Sequence, residues 1–208
     1  MRLLLASTSP ARLSVLRAGG IEPTVLAPNA DEDELAAVAR AEGLVTNTEQ
    51  LVGFLARAKA ESVLDRPEAN DTLVLGCDSS LEFEGESLGK PHHPEVAIAR
   101  WKSLRGKSGI LHSGHWLIDN RTGGSGKSVG ATSSAKVFFA DLSDREIEDY
   151  VATGEPLKVA GAFTIDGLGG AFLKGIEGDP HTVIGLSLPT LRELTAELGV
   201  HYPDLWNL

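Results

Sequence analysis

The stretch Leu3-Leu4-Leu5-Ala6-Ser7-Thr8-Ser9-Pro10-Ala11-Arg12 decides the fold class. Four apolar residues form a short buried strand, and three hydroxyl residues turn the chain. Proline suits the first position of a helix because its missing N–H has no intrahelical partner there, and Ser9 stands at the N-cap. Leu13 and Leu16 lie one helical turn apart, and Gly19-Gly20 stops the helix. A strand that runs straight into a capped helix opens an α/β protein, and the chain repeats the alternation. Val25 to Ala27 reads as a second strand, and Asp31 to Glu34 as a loop or a helix start. A helix is predicted over 48–64, with Leu51, Phe54, Leu55 and Ala58 on one face.

Thr72-Leu73-Val74-Leu75-Gly76-Cys77 is a continuous apolar run, the pattern of a strand covered on both faces. Asp78-Ser79-Ser80 is expected to begin a polar loop. Glu84-Gly85-Glu86 marks a hairpin, and a second hairpin is predicted around Gly123-Gly124-Ser125-Gly126. Pro94 opens a helix carrying Trp101 and Leu104 that stops at Gly106. Ser143-Asp144-Arg145-Glu146 is a capping box for a helix with Ile147, Tyr150 and Val151 inward. Strand-like pieces fall at 163–165 and 183–184. A last helix carries Leu191, Leu194 and Leu198 and ends at Gly199. The hairpins make the sheet mixed.

Composition bounds the function. The 208 residues are 42% hydrophobic and 23% charged, ordinary globular usage, for one domain or two small lobes. The net charge of −10 argues against nucleic acid or an anionic membrane as partner, since such binding rests on clustered Lys and Arg. One cysteine, Cys77, excludes an internal disulfide and a multi-cysteine zinc site. The N-terminus turns polar at Ser7, too soon for a signal-peptide core, and no apolar run reaches membrane-span length. The expected place is the cytoplasm.

Several residues suggest chemistry. Ser7, Ser9 and Arg12 put hydroxyls, backbone N–H groups and a cation at a helix N-terminus after a strand, a setting that attracts anions or is simply a capped helix with a surface arginine. Asp78 sits at a strand end, as α/β active-site carboxylates do and as turn-initiating aspartates also do. Lys90, twelve residues later in Leu88-Gly89-Lys90-Pro91, could return to the same end of the sheet across a hairpin or lie in a solvated turn. Lys59 is at the edge of its helix's apolar face, a place that favours a snorkelling lysine over a phosphate partner. Gly126-Lys127-Ser128 matches only the end of a P-loop: Arg121 stands where the first glycine belongs, and Val129 onward reads as strand rather than helix. A P-loop kinase or NTPase built on Lys127 is therefore disfavoured. His112 and His115, three apart on a strand, face opposite sides, and no histidine pair has metal-ligand spacing.

The ordered set of motifs resembles the Maf-like nucleoside triphosphate pyrophosphatases over nearly the whole chain. Leu5 to Arg12 is similar to the family's LASxSPRR start, Asp31-Glu32 to its acidic element, and Leu55 to Ala60 to its LAxxKA helix. Gly76-Cys77-Asp78-Ser79 with Gly89-Lys90-Pro91 resembles its GADT and GKP pair, and Ser113-Gly114 its TG step. Gly154-Glu155-Pro156, Ala160 to Phe163 and Gly178-Asp179 through Gly185-Leu186 resemble its tail. The resemblance implies one catalytic domain over 1–208 of the Maf/ITPase-like kind, an elongated mixed sheet flanked by helices with two lobes and a central cleft, often dimeric. It implies hydrolysis of a nucleoside triphosphate to monophosphate and pyrophosphate with Mg2+ or Mn2+. By matching position, Asp78 would be the catalytic carboxylate and a metal ligand, and Glu32 a second metal-side acid. Arg12, Lys59 and Lys90, with Ser7 and Ser9, would hold phosphates. Three departures bear on base choice: Ala11 replaces an Arg, Ser79 a Thr, and Asp166 a Gln. A non-catalytic nucleotide-binding or division-regulatory module is the alternative.

Overall fold

The long strands form because their residues suit a pleated, buried surface. The computed structural model describes residues 1–207. Seven strands make one sheet: β1 (Leu3–Ala6), β2 (Thr24–Leu26), β3 (Thr72–Phe83), β4 (Glu86–Leu88), β5 (Ser108–Asn120), β6 (Ser128–Phe139) and β7 (Leu173–Glu177). Their order is β2-β1-β3-β5-β6-β7, with β4 beside β3. β1 runs parallel to β2 and β3, whereas β4 is antiparallel to β3 and β7 to β6. The sheet is mixed and the class α/β, as the hairpins predict. The helices are α1 (Pro10–Ala18), α2 (Glu32–Ala41), α3 (Thr48–Glu61), α4 (Pro94–Leu104), α5 (Asp144–Ala152), α6 (Pro180–Ile184) and α7 (Leu188–Glu197).

The chain divides into two compact units. The first comprises Met1–Asp78, Ser113–Ser133 and Gly185–Leu208; the second comprises Ser79–His112 and Ser134–Ile184. In the first unit, Leu4, Ala6, Ala60, Val63 and Val74 form one buried cluster, and Ala36, Ala39, Val45, Leu51 and Leu55 another. Two glycines let α3 lie directly on the sheet. A Cβ on Gly76 would strike the backbone carbonyl of Ala56 and come within 2.8 Å of the Ala60 nitrogen. A Cβ on Gly114 would strike the Val52 carbonyl. Only backbone-to-backbone approach at these two points allows this packing.

The second unit is built around Trp101 of α4. Its ring is wholly buried, meets Phe139 and Tyr150 edge-on at 5.6 and 5.5 Å, and its indole N–H donates to the Ala162 carbonyl at 2.7 Å. Such edge-to-face pairs add to the burial of the rings themselves. Ser143 and Glu146 cap α5 reciprocally, as their spacing predicts.

The structure corrects two sequence expectations and decides between the alternatives left open for a third. Asp78 does not open a loop: β3 continues through it to Phe83, because its charge is met inside the protein and Leu81 and Phe83 supply further buried positions. Residues 163–165 and 183–184 are not strands. Val183 and Ile184 close the short helix α6, whose start Pro180 favours and where Asp179 accepts from the N–H groups of His181 and Thr182. The strand of this region is β7, hidden in the sequence by Lys174 and Gly175. The acidic stretch from Asp31 begins a full helix, with the Asp31 side chain accepting from Glu34 N at 3.0 Å.

The glycine-rich tip is a loop between β5 and β6 with no helix after it. Asp119, fully buried, accepts from Arg121 Nε at 2.6 Å and from Ser125 N and Oγ at 2.7 and 2.9 Å. The Arg121 hydrogen bonds, joined by those from Ser125, hold its carboxyl well below the usual carboxylate range. This carboxylate organises the tip, where a P-loop would organise phosphate.

Because the barrier at Gly76 is backbone, Gly76→Ala is expected to cost about 2 kcal/mol or more of stability. Urea unfolding monitored by circular dichroism measures it, and a wild-type midpoint would show that α3 can shift freely.

Candidate active site

The candidate site assembles where β1 and β3 run side by side. Ala6 pairs with Gly76, so the turn that leaves β1 at Ser7 is level with Cys77 and Asp78. Ser7 and Arg12 are buried. Arg12 donates from Nη1 to Ser7 Oγ at 3.1 Å and from Nε to the Gly185 carbonyl at 2.9 Å. Ser7 Oγ also accepts from Ser9 N at 3.2 Å, and Ser9 Oγ caps α1 by accepting from Arg12 N at 3.5 Å. Two N–H groups of the turn are thus spent within it. Arg12 is part of the turn's construction rather than a surface arginine.

The close seat of α3 on Gly76 brings Lys59 to Asp78. The Lys59 ammonium lies 2.6 Å from Asp78 Oδ1 and 2.9 Å from Glu32 Oε1. Only 4% of Lys59 is exposed, so the snorkelling expected from its helix position is overturned. The helix face it shares with Leu55 is pressed on the sheet, and an aliphatic stem there ends inside the protein beside two acids. Burial pushes the Asp78 carboxyl above the ordinary carboxylate range; Lys59 and Arg12 pull it down, and Glu32 adds to the rise. Burial pushes the neighbouring Cys77 thiol up to about 11, which leaves it protonated and a poor nucleophile at neutral pH.

Glu32 opens α2, next to the Asp31 N-cap, and keeps 43% of its side chain exposed. Two hard carboxylate oxygens meeting at one cationic point suit Mg2+ or Mn2+, which bind one or two carboxylates and take their other ligands from water and phosphates. Among the described residues there is no group of three or more His, Cys, Asp or Glu that could hold a metal. The two carboxylates fit an ion that takes its remaining ligands from water and phosphate oxygens.

The first unit brings together Ser7, Ser9, Arg12, Glu32, Lys59 and Asp78, with Ala11 half-buried in the first turn of α1. Ser79, Lys90 and Asp166 belong to the second unit. Ser79 follows Asp78 in β3, and strand alternation turns it to the opposite face. Lys90 and Asp166 are exposed. Glu155 anchors the segment around Asp166: its carboxylate accepts from Tyr150 Oη at 2.8 Å, Thr164 Oγ1 at 2.5 Å and the N–H groups of Leu168 and Gly169, both at 2.9 Å.

A family model described as Maf-like protein matches residues 2–198. The chain belongs to the Maf-like family. Its Maf-like relatives include a protein of Leifsonia xyli subsp. xyli, 55% identical over 100% of this chain and 97% of that one. Another, from Salinispora tropica, is 53% identical over 100% of this chain and 88% of its own. A third, from Streptomyces coelicolor, is 49% identical over 99% and 94%. All three carry the name nucleoside triphosphate pyrophosphatase. No helix of this Maf-like chain, among the described residues, is long and apolar enough to cross a membrane.

Sequence reasoning missed the neighbours that hold the site. His115 Nε2 accepts from Ser187 N at 2.8 Å, fixing the turn two residues beyond the carbonyl that Arg12 holds. A lone strand histidine gives no sign of a partner 72 residues away.

Removing the ammonium strands a buried carboxylate. Lys59→Met is expected to lower the unfolding free energy by about 3 kcal/mol at pH 7, and Asp78→Asn added to it to recover much of the loss. Denaturant unfolding of both variants measures this; an equal loss in the two would show that the pair contributes no coupling.

Proposed function

We propose that the chain is a nucleoside triphosphate pyrophosphatase, releasing pyrophosphate and a nucleoside monophosphate by attack of water on the α-phosphorus. The observation that carries this reading is the buried Lys59 ammonium held between Asp78 and Glu32, with Arg12 one turn into the adjoining helix. The names of the relatives agree with it. A triphosphate must lose the repulsion of its own charge before water can approach, and fixed cations in a partly desolvated site supply that.

In this reading Asp78 orients the attacking water and accepts its proton. Arg12, Lys59 and Lys90 contact phosphates, and Ser7 and Ser9 shape the turn that receives them. Glu32 and Asp78 would hold Mg2+ or Mn2+. When bound, the ion supplies charge neutralisation at the phosphoryl oxygens. The Lys59 ammonium keeps the two carboxylates together in the free protein and is positioned to move its contact to a phosphate. The net charge of −10 supports a small nucleotide rather than nucleic acid as partner.

Asp166 is read as the base-selecting residue. An ionised carboxylate only accepts hydrogen bonds, whereas a Gln amide both donates and accepts. Asp166 therefore favours base edges that present amino groups.

Pyrophosphate release from a panel of nucleoside triphosphates, with Mg2+ or Mn2+, tests the activity. Asp78→Asn is expected to abolish turnover nearly completely while the circular dichroism spectrum stays wild-type; a retained kcat would overturn the assignment. In the same assay Asp166→Gln is expected to shift relative kcat/KM toward UTP among UTP, dTTP, CTP and GTP. An unchanged ranking would remove Asp166 from base reading.

A further inference from the structure

Gly89, Lys90 and Pro91 join β4 to α4 within the second unit. Lys90 is exposed, and none of the ion pairs among the described residues involves it. Its backbone is pinned on both sides. Pro91 is buried, and His92 N donates to the Leu157 carbonyl at 3.1 Å. On the other side, the Gly89 carbonyl accepts from Gly161 N at 3.2 Å and from Arg100 Nη1 at 2.6 Å.

Arg100 is half-buried and donates to this backbone carbonyl. A cavity of about 410 Å³ is lined by Arg100 together with Glu84 and Glu86. Arg100 nevertheless donates to a neutral carbonyl, while Glu84 pairs with Lys107 at 2.8 Å. Burial holds the guanidinium below its ordinary pKa. Its desolvation is thus directed at one backbone oxygen. That oxygen and the N–H of Lys90 belong to the same planar peptide. Gly89 has no Cβ, and nothing would meet one within 4 Å. The two hydrogen bonds to its carbonyl, from Gly161 N and Arg100 Nη1, help fix the peptide plane.

We infer that Arg100 is a positioning residue for catalysis: through the Gly89 carbonyl it fixes the peptide from which Lys90 departs, and so presents the Lys90 ammonium to the phosphates of the substrate. The inference rests on the reading of Lys90 as a phosphate contact. Arg100 touches no substrate in it. A lysine on a less firmly held glycyl peptide would lose part of the benefit of being placed before the substrate arrives.

The test is a double-mutant cycle in kcat/KM for pyrophosphate release from a nucleoside triphosphate, with Tm recorded for each variant. Lys90→Ala is expected to lose about 10²-fold. Arg100→Gln should lose about tenfold, and Arg100→Lys, which keeps a cationic donor, should recover part of that. Lys90→Ala with Arg100→Gln should be no worse than Lys90→Ala alone, because Arg100 acts only through Lys90. A purely structural arginine would lower Tm and multiply its loss onto that of Lys90→Ala; that result overturns the inference and leaves the phosphate reading standing. Wild-type kcat/KM in Arg100→Gln overturns it likewise. Wild-type kcat/KM in Lys90→Ala overturns both.

Discussion

A lysine ammonium buried between two carboxylates is the constraint around which the candidate site is arranged. An unpaired charge at the position of Lys59 or Asp78 would be expensive in a medium that solvates poorly. Each is tolerable only because the other is 2.6 Å away, and that distance exists only because α3 can rest on the sheet at Gly76 and Gly114. Two absent side chains thus set the depth of a helix, and the depth of the helix sets the electrostatics of the site. Asp78 can then stand in the middle of a twelve-residue strand instead of at its end.

The same arrangement places Arg12. It is built into the turn after β1 by the Ser7 hydroxyl and into the C-terminal segment by the Gly185 carbonyl, so the cation near Asp78 is held from two sides. Preorganised charge of this kind costs stability in the free protein and spares reorganisation when an anionic substrate binds. The Asp119 cluster uses similar physics for a different end, with one carboxylate taking hydrogen bonds from Arg121 and Ser125 and closing a glycine-rich loop.

The second unit relies on a different means of fixing backbone. Trp101 fills its core and holds the Ala162 carbonyl, and Glu155 gathers four donors around the segment that carries Asp166. The exposed residues Lys90 and Asp166, which we propose contact substrate, are therefore mounted on loops that half-buried charged groups hold from behind. Function on such loops depends on the scaffold that positions them.

The α/β class, the first strand and its capped helix, both hairpins, the capping box of α5 and the Trp101 helix were legible because each depends on neighbours within a few residues. So was the family membership implied by the ordered motifs from Leu5 to Leu186. Local pattern failed where the deciding partner is far along the chain. Lys59 looked like a snorkelling residue because its helix alone does not reveal Asp78, nineteen residues on. Asp78 looked like a loop residue because a charge in a buried strand is tolerable only once its cation is known. β7 was hidden because its pairing with β6 outweighs the weak strand preference of Leu173 to Glu177. Sequence by itself determined where the chain turns, caps and alternates, since those choices are made by each residue's own backbone and its near neighbours. Tertiary structure alone decided which charges meet, because burial and ion pairing are properties of surfaces brought together by packing.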